Sequence, residues 1–306
     1  MGYINVFVSS SAALSVKNKQ LKVAAATEEG SYPLEDVNCV LLESHACTLS
    51  SYVLDAFAEN GILLITCDGM HMPNAALVPF AIHYKQYAVL KTQLSLPKPV
   101  AKRLWQKIVV RKILNQAECL ALFSRSAAVR LTDIARGVQS GDAGNAEAAA
   151  ANIYFKALFG ETFVRREENL VNAMLNYAYS LLRSLVARTL AVYGFNMCLG
   201  LHHKNELNAF NLADDLIEPF RPVADLLVCS VLRDDIREPS DEELTPVMKR
   251  RLFALLNADT EIDGGIYSLS YAVELTVQSL AKCYKESTFE YLKLPGILKP
   301  NMHSYE

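Results

Sequence analysis

The hydrophobic rhythm of this chain changes once, near Pro79, and that change limits the folds open to it. Before it, apolar residues come in short runs split by turn-forming residues; from Ala101 onward they recur at helical spacing. Residues 4–8 predict a first strand and residues 21–24 another, beyond a polar turn at 17–20. Val40-Leu41-Leu42 and Ile62-Leu63-Leu64-Ile65 are unbroken apolar runs, as expected of strands covered on both faces. Between them, residues 50–58 have helical spacing and stop at Asn60-Gly61. Residues 80–93 predict a helix that breaks at Pro97 and Pro99.

Beyond those prolines the spacing predicts one or two helices over 102–138, then helices over 146–159, 170–193, 207–229, 244–257 and 267–284. The tail from Glu286, which contains Pro295 and Pro300, reads as extended and is expected either to dock or to stay mobile. The expected fold class is α+β. A small β-rich N-terminal domain covers 1–79, and a helical, proline-containing linker covers 80–100. A larger, all-helical domain with an extended C-terminal tail covers 101–306.

Composition narrows the class further. With 306 residues, 51% hydrophobic and 21% charged, the chain can bury a real core and is not a disordered one. The seven cysteines are scattered and form no CxxC, so neither a zinc ribbon nor a disulfide framework is indicated; reduced thiols fit a cytoplasmic protein. No signal peptide is visible, and the most apolar run, residues 181–201, is broken by Arg183 and Arg188 and reads as a buried helix rather than a membrane span. A net charge of −3 gives no global hint of a nucleic-acid partner. Locally the balance differs. No acidic residue lies between Asp68 and Glu118, whereas Lys85, Lys91, Lys98, Lys102, Arg103, Lys107, Arg111 and Lys112 all do. On a helix, Lys102, Arg103, Lys107 and Arg111 form a basic stripe able to contact DNA phosphates without reading sequence, with an ordinary solvated face as the alternative.

The residues that point to chemistry lie in Gly200-Leu-His-His-Lys-Asn-Glu-Leu-Asn-Ala-Phe-Asn-Leu-Ala-Asp-Asp-Leu-Ile-Glu-Pro-Phe-Arg-Pro222. His202 and His203 precede Asp214, Asp215 and Glu218, and an imidazole with carboxylates suits Mn²⁺ or, with water, Mg²⁺. Asp215 and Glu218 stand three apart and share a helical face. Pro219 and Pro222 then make the helix bend or turn irregular. A further ligand must come from another helix. Glu147, the one carboxylate in the alanine-rich stretch before Tyr154-Phe155, is the candidate, because small neighbours let a second helix approach closely. Taken singly, each of these residues is commonplace: a capping histidine, a solvated acidic face, a surface glutamate.

Jointly they resemble the CRISPR-associated adaptation integrase/endonuclease family (Cas one), in its type II-like subgroup found beside RNA-guided single-effector systems. The resemblance rests on the Gly-aliphatic-His-His opening, the Phe-Asn-Leu-Ala run, the acidic pair and the Glu-Pro-Phe-Arg-Pro close. It extends to Glu147 ahead of an alanine pair and a Tyr-Phe, to residues 36–80, and to Lys112-Ile113-Leu114-Asn115-Gln116. It implies Glu147, His203 and Glu218 as the catalytic, metal-binding triad, with His203 chosen over His202 because the family's histidine stands fifteen positions before that glutamate. It implies a catalytic role for the helical domain, Asp215 as a residue supporting the ligands from behind, Tyr177 as a tyrosine near the site (with a core aromatic as its plainer reading), and Mg²⁺ or Mn²⁺ as cofactor. The implied function is insertion of short foreign DNA (prespacers) into the CRISPR array by 3′-hydroxyl transesterification. The implied partners are prespacer and repeat DNA, a second copy through the N-terminal domain, a small second CRISPR adaptation protein, the RNA-guided nuclease and a further adaptation factor, with no membrane. A metal-dependent nuclease acting on branched or single-stranded DNA without integration, and a non-catalytic DNA-binding scaffold, are the alternatives.

Overall fold

A computed structural model describes residues 2–26, 28–77, 85–123, 125–235 and 243–298. Its N-terminal part holds strands β1 (Ile4–Val8), β2 (Ala12–Lys17), β3 (Gln20–Ala25), β4 (Glu29–Pro33), β5 (Val37–Leu42), β6 (Thr48–Leu49), β7 (Leu63–Cys67) and β8 (Pro73–Ala76), with one helix, α1 (Ser51–Glu59). β1, β5 and β7 pair in parallel, and β8 closes that sheet antiparallel. A second sheet runs in the order β4-β3-β2-β6. Its β2–β3 hairpin turns at Asn18 and Lys19, both with positive φ, the backbone a two-residue hairpin needs to match strand twist.

The unbroken apolar runs have the expected meaning. Successive strand side chains point to opposite faces. Cys39, Leu41, Leu63 and Ile65 therefore enter the large core shared with the helices, while Val40, Leu42, Ile62 and Leu64 pack with α1 and the second sheet. β5 is buried along its whole length. The strands β2, β4, β6 and β8 are finds of the structure. The alternation of β2, β4 and β8 is diluted by Ser, Lys, Gly and Pro, so periodicity alone does not mark them.

The larger part contains α2 (Gln86–Ser95), α3 (Lys98–Ala121), α4 (Arg125–Arg136), α5 (Ala146–Phe159), α6 (Leu170–Val192), α7 (Asn211–Ile217), α8 (Arg221–Asp235), α9 (Pro246–Phe253) and α10 (Leu269–Glu286). It is not all-helical. Strands β9 (Asp259–Ile262) and β10 (Gly265–Ser268) form a hairpin turning at Asp263-Gly264, where the sequence predicts helix from 267 onward. Asp-Gly supplies the positive φ of that turn, and Ser268 caps α10 by accepting a hydrogen bond from Tyr271 N. Residues 80–84 of the expected helix over 80–93 lie outside the described residues; α2 begins at Gln86. Pro99 starts α3 rather than ending a helix, because a proline in the first turn removes an N–H that has no intrahelical partner anyway. The helix expected over 207–229 is broken: α7 begins at Asn211, and a 3₁₀ turn at Glu218–Phe220 separates it from α8.

Buried polar contacts join the two parts. Asn38 Nδ2 donates to Asn5 Oδ1 (2.9 Å) and Ser270 Oγ (3.1 Å), Arg188 donates to Asn38 Oδ1 (3.2 Å), and Asn5 donates to Asn257 (2.7 Å). Lys249 pairs with Glu43 at 3.1 Å, both buried. All seven cysteines are free, and burial pushes the Cys67 and Cys119 thiols up to about 12. Among the described residues no helix is long and apolar enough to cross a membrane.

Candidate functional site

The Gly200–Pro222 stretch folds back on itself through one carboxylate. Asp215, fully buried on α7, accepts hydrogen bonds from Leu201 N (2.5 Å), His202 N (3.1 Å) and His203 N (3.1 Å), and meets His203 Nδ1 at 2.7 Å. Glycine is required at the hinge of this turn: a Cβ on Gly200 would lie 2.3 Å from His203 O and 2.9 Å from Asp215 Oδ2. The Asp215 bond draws the His203 pKa upward, against the opposing effect of burial. The neighbouring Asp214 is spent elsewhere, gripped by Arg183 at 2.9 Å and by Asn208 Nδ2 at 2.6 Å. His202 lies flat on the buried Trp105 (ring centroids 4.3 Å apart, planes 3° apart), and His203 meets the same indole edge-on at 5.8 Å.

Glu218 opens the 3₁₀ turn after α7. Pro219 and Pro222 lack the N–H groups that would continue the α-helical ladder, and the freed Pro219 carbonyl accepts from Asn115 Nδ2 on α3 at 2.6 Å. That kink delivers the Glu218 carboxylate to Lys112 of α3 and, at 3.1 Å, to Arg221. Glu147 comes from the start of α5, which Asp142 caps by accepting from Ala146 N (2.8 Å) and Glu147 N (3.1 Å). Its carboxylate also reaches Lys112 Nζ, at 2.6 Å. Two carboxylates from distant helices therefore converge on one ammonium. Burial alone would push Glu218 up, but Arg221, Lys112 and His203 hold it below the usual carboxylate range. Burial likewise opposes the Lys112 charge, and Glu218 and Glu147 overcome it, leaving its pKa raised.

Among the described residues no group of three or more His, Cys, Asp or Glu side chains is gathered so as to hold a metal ion. The donor chemistry nevertheless suits a divalent cation. Glu147 and Glu218 already face a shared positive charge. His203, near enough for its charge to lower the Glu218 pKa, has Nδ1 engaged by Asp215, which leaves Nε2 as the ring nitrogen to offer a ligand.

Behind Glu218 lies a buried network that sequence reasoning missed. Arg221 stacks on Tyr179 (4.6 Å to the ring), and Tyr179 and Tyr154 (2.9 Å) both donate to Asp225. Asp225 thus ties α5, α6 and α8 together beneath the carboxylates. Burial pushes Asp225 up to about 6, against the pull of its two phenol bonds. A carboxyl whose folded-state pKa exceeds its unfolded value contributes stability at acid pH that is lost as pH rises through the folded value. A difference of this size is worth about 3 kcal/mol. Urea unfolding of the Asp225→Asn protein beside the parent is therefore expected to show the parent losing about 2–3 kcal/mol relative to the variant between about pH 4 and pH 7. A constant difference across that range would refute this reading of Asp225.

The structure distributes the remaining candidates unevenly. Tyr177 sits in the core, its hydroxyl among Cys67, Glu43 and Cys39 rather than beside Glu218, and burial raises its pKa. The tyrosine linked to the site is Tyr179, two residues on. The four basic residues of α3 do not form one open stripe. Lys107 donates to the carbonyls of Phe289 (3.1 Å), Glu290 (3.4 Å) and Leu292 (3.2 Å). Arg111 donates to Pro295 O (2.8 Å) and Asn115, and pairs with Glu118. Both fasten the C-terminal segment onto α3, so that of the two expectations for the tail residues 289–295 take the docked one; residues 299–306 lie outside the described residues. Lys102 and Arg103 remain exposed. For Lys112 and Arg221 the signal in the sequence was partial: one lies in the acid-free block, the other inside the Glu-Pro-Phe-Arg-Pro close.

Residues 6–249 match the family model described as CRISPR associated protein Cas1. The chain belongs to the Cas1 family. A curated relative from Neisseria meningitidis serogroup C (strain 8013), named CRISPR-associated endonuclease Cas1, is 40% identical over the full length of both chains. Another Cas1 endonuclease, from Francisella tularensis subsp. novicida (strain U112), is 24% identical, with 88% of this chain and 91% of the relative covered. Among solved structures, a casposase bound to an integration product superposes with a TM-score of 0.72 at 18% identity, covering 94% of this chain and 93% of that one. A Cas1 protein from Thermotoga maritima superposes at 0.67 and 18%, covering 92% and 97%. A chain of a Cas6-RT-Cas1–Cas2 complex matches at 0.71 and 17%, spanning 97% of this chain but 36% of that longer one. These structural likenesses concern the Cas1 fold: a strand-rich N-terminal part followed by a mainly helical one.

Proposed function

We infer that this Cas1-family chain is a divalent-metal-dependent DNA integrase and endonuclease of CRISPR adaptation, which joins the 3′-hydroxyl of a short DNA fragment to a phosphodiester of the repeat. The observation that carries the reading is the convergence of Glu147 and Glu218 on one cation, beside a histidine whose ring is oriented by a buried aspartate. The reading gains weight from the name of the Neisseria relative, an endonuclease at 40% identity over the whole chain, and from the integration product bound to the casposase of similar fold.

On this reading Glu147, His203 and Glu218 hold Mg²⁺ or Mn²⁺. The ion would supply Lewis acidity to a hydroxyl far too weakly acidic to act unaided and offset the charge that develops at the phosphorus. Asp215 keeps the His203 ring aimed with Nε2 outward, and Trp105 backs both histidine rings. Arg221, fixed on Tyr179, holds the second oxygen of Glu218 and limits its rotation. No covalent protein nucleophile is needed. The protein works in the cytoplasm, with prespacer and repeat DNA, as a homodimer through the strand-rich part, and with the small second adaptation protein. The solved Cas1–Cas2 assembly of similar fold supports that last partner. The RNA-guided nuclease and a further adaptation factor complete the set.

The test is product analysis. Purified protein with its small partner, Mn²⁺, a labelled fragment bearing a 3′-hydroxyl and repeat DNA is expected to yield a branched joined product. Cut fragments alone would make it a nuclease without integration, and the absence of both products and of Mn²⁺ binding would make it a scaffold. DNA affinity is expected to fall with salt. Reversing Lys102 and Arg103 to glutamate is expected to flatten the log–log slope by about 1 for each phosphate no longer neutralised. Neutralising Lys107 is expected instead to cost about 1–3 kcal/mol of stability, read in denaturant melts, because it strips charge-assisted bonds from the docked tail. An unchanged salt slope in the Lys102/Arg103 double variant would remove these two from the DNA surface.

A further inference from the structure

Lys112 stands where the two candidate carboxylates meet, and the reaction itself gives it no role. Its ammonium is buried on α3 with side-chain exposure of 8%, between Glu147 at 2.6 Å and Glu218 closer still. Arg221 takes the other Glu218 oxygen at 3.1 Å. Two carboxylates and two cations thus balance. A divalent ion added to this cluster would leave an excess of two positive charges in a mostly buried setting, which low dielectric makes costly. The two cations differ in what they can do. Arg221 is a planar fork stacked on Tyr179 and held from behind. Lys112 is a point charge on a flexible four-carbon stem whose contacts at this end are the two carboxylates themselves.

We propose that Lys112 is a built-in counter-ion of the metal site: it holds Glu147 and Glu218 together before the ion arrives, and binding of a divalent cation expels its ammonium, which is then available to a phosphate of the DNA. The proposal rests on the metal reading and adds a competition between a protein cation and the metal. It explains how a buried carboxylate, Glu218, and a partly exposed one, Glu147, stay close without mutual repulsion. It also makes metal entry an exchange of one cation for another at a pair of which Glu218 is buried and Glu147 a quarter exposed.

The proposal predicts opposite effects of one substitution on folding and on metal affinity. Lys112→Met leaves the two carboxylates facing each other with only Arg221, on Glu218, to offset their charge. Its metal-free thermal midpoint is expected to fall below that of the parent, and Mn²⁺ is expected to restore more of it than it adds to the parent. Mn²⁺ affinity, read from the paramagnetic resonance of free Mn²⁺, is expected to tighten by about tenfold or more, since no ammonium must be displaced. Lys112→Arg, which keeps a cation there, is expected to bind Mn²⁺ no more tightly than the parent. A second measurement needs no variant. In the unaltered protein, labelling of Lys112 by an amine-reactive reagent, followed by mass spectrometry, is expected to rise several-fold when Mn²⁺ is added. Equal or weaker Mn²⁺ binding by Lys112→Met, or labelling that does not change while Mn²⁺ binds, would overturn the proposal and leave the metal reading intact. Failure of both the parent and Lys112→Met to bind Mn²⁺ would overturn the metal reading itself and this inference with it.

Discussion

Strand transfer by the Glu147→Gln protein is expected to fall by at least ~10²-fold with the fold intact. Glutamine preserves the volume and the helix start that Asp142 caps, and removes only the charge. The side chain is a quarter exposed and Lys112 keeps Glu218 as a partner, so the melting temperature should change little. Mn²⁺ affinity should weaken together with activity, since the same oxygens serve both. His203→Ala is expected to behave alike: its ring is 40% exposed, and its loss leaves the backbone turn on Asp215 in place. Undiminished joining of the DNA fragment by either protein would withdraw these residues from the reaction. Equal activity with weakened Mn²⁺ binding would separate ion binding from chemistry.

Asp215→Ala should do more damage, and of a different kind. Four donors now end on one fully buried carboxylate, three of them backbone N–H groups of a single turn. Its removal strands them, and a buried donor left without a partner costs about 1–3 kcal/mol. The combined loss is expected at about 3–5 kcal/mol, the range seen when one partner of a buried charged contact is deleted. His203 then loses the bond that sets its ring, and residues of this supporting kind are worth about 10- to 100-fold in metal affinity or activity. Asp215→Asn should fall between, because it offers one acceptor oxygen where the carboxylate offers two. Asp214→Ala is the control. It releases Arg183 and Asn208 near the surface and should cost about 1 kcal/mol or less. Denaturant melts of the three proteins order these losses; similar values for Asp214→Ala and Asp215→Ala would contradict the roles assigned.

The sequence separates these two adjacent aspartates only by resemblance, and the structure shows why. Both belong to α7, but one faces the turn at 201–203 and the other faces Arg183 of α6. The same limit appears at Tyr177 and Tyr179, where a difference of two positions on α6 separates a core phenol from one that steadies Arg221. It appears again on α3. Lys102, Arg103, Lys107 and Arg111 make a plausible stripe by spacing, yet Lys107 and Arg111 are used by a segment nearly two hundred residues downstream. The hairpin at 259–268 was hidden because its two strands are short and lead straight into a helix.

What the sequence determined alone is what depends on near neighbours. The apolar runs of β5 and β7 set a doubly covered sheet, Gly200 allowed the turn to close, and Pro219 with Pro222 forced the kink after Glu218. These follow from sterics and hydrogen bonding within a few residues, which spacing records. Only the tertiary structure decided that Glu147 and Glu218 meet around Lys112, and that Asp225 pins α5, α6 and α8 beneath them. Such meetings depend on how helices pack, and helix packing is set by the sum of many weak apolar contacts that no single motif encodes.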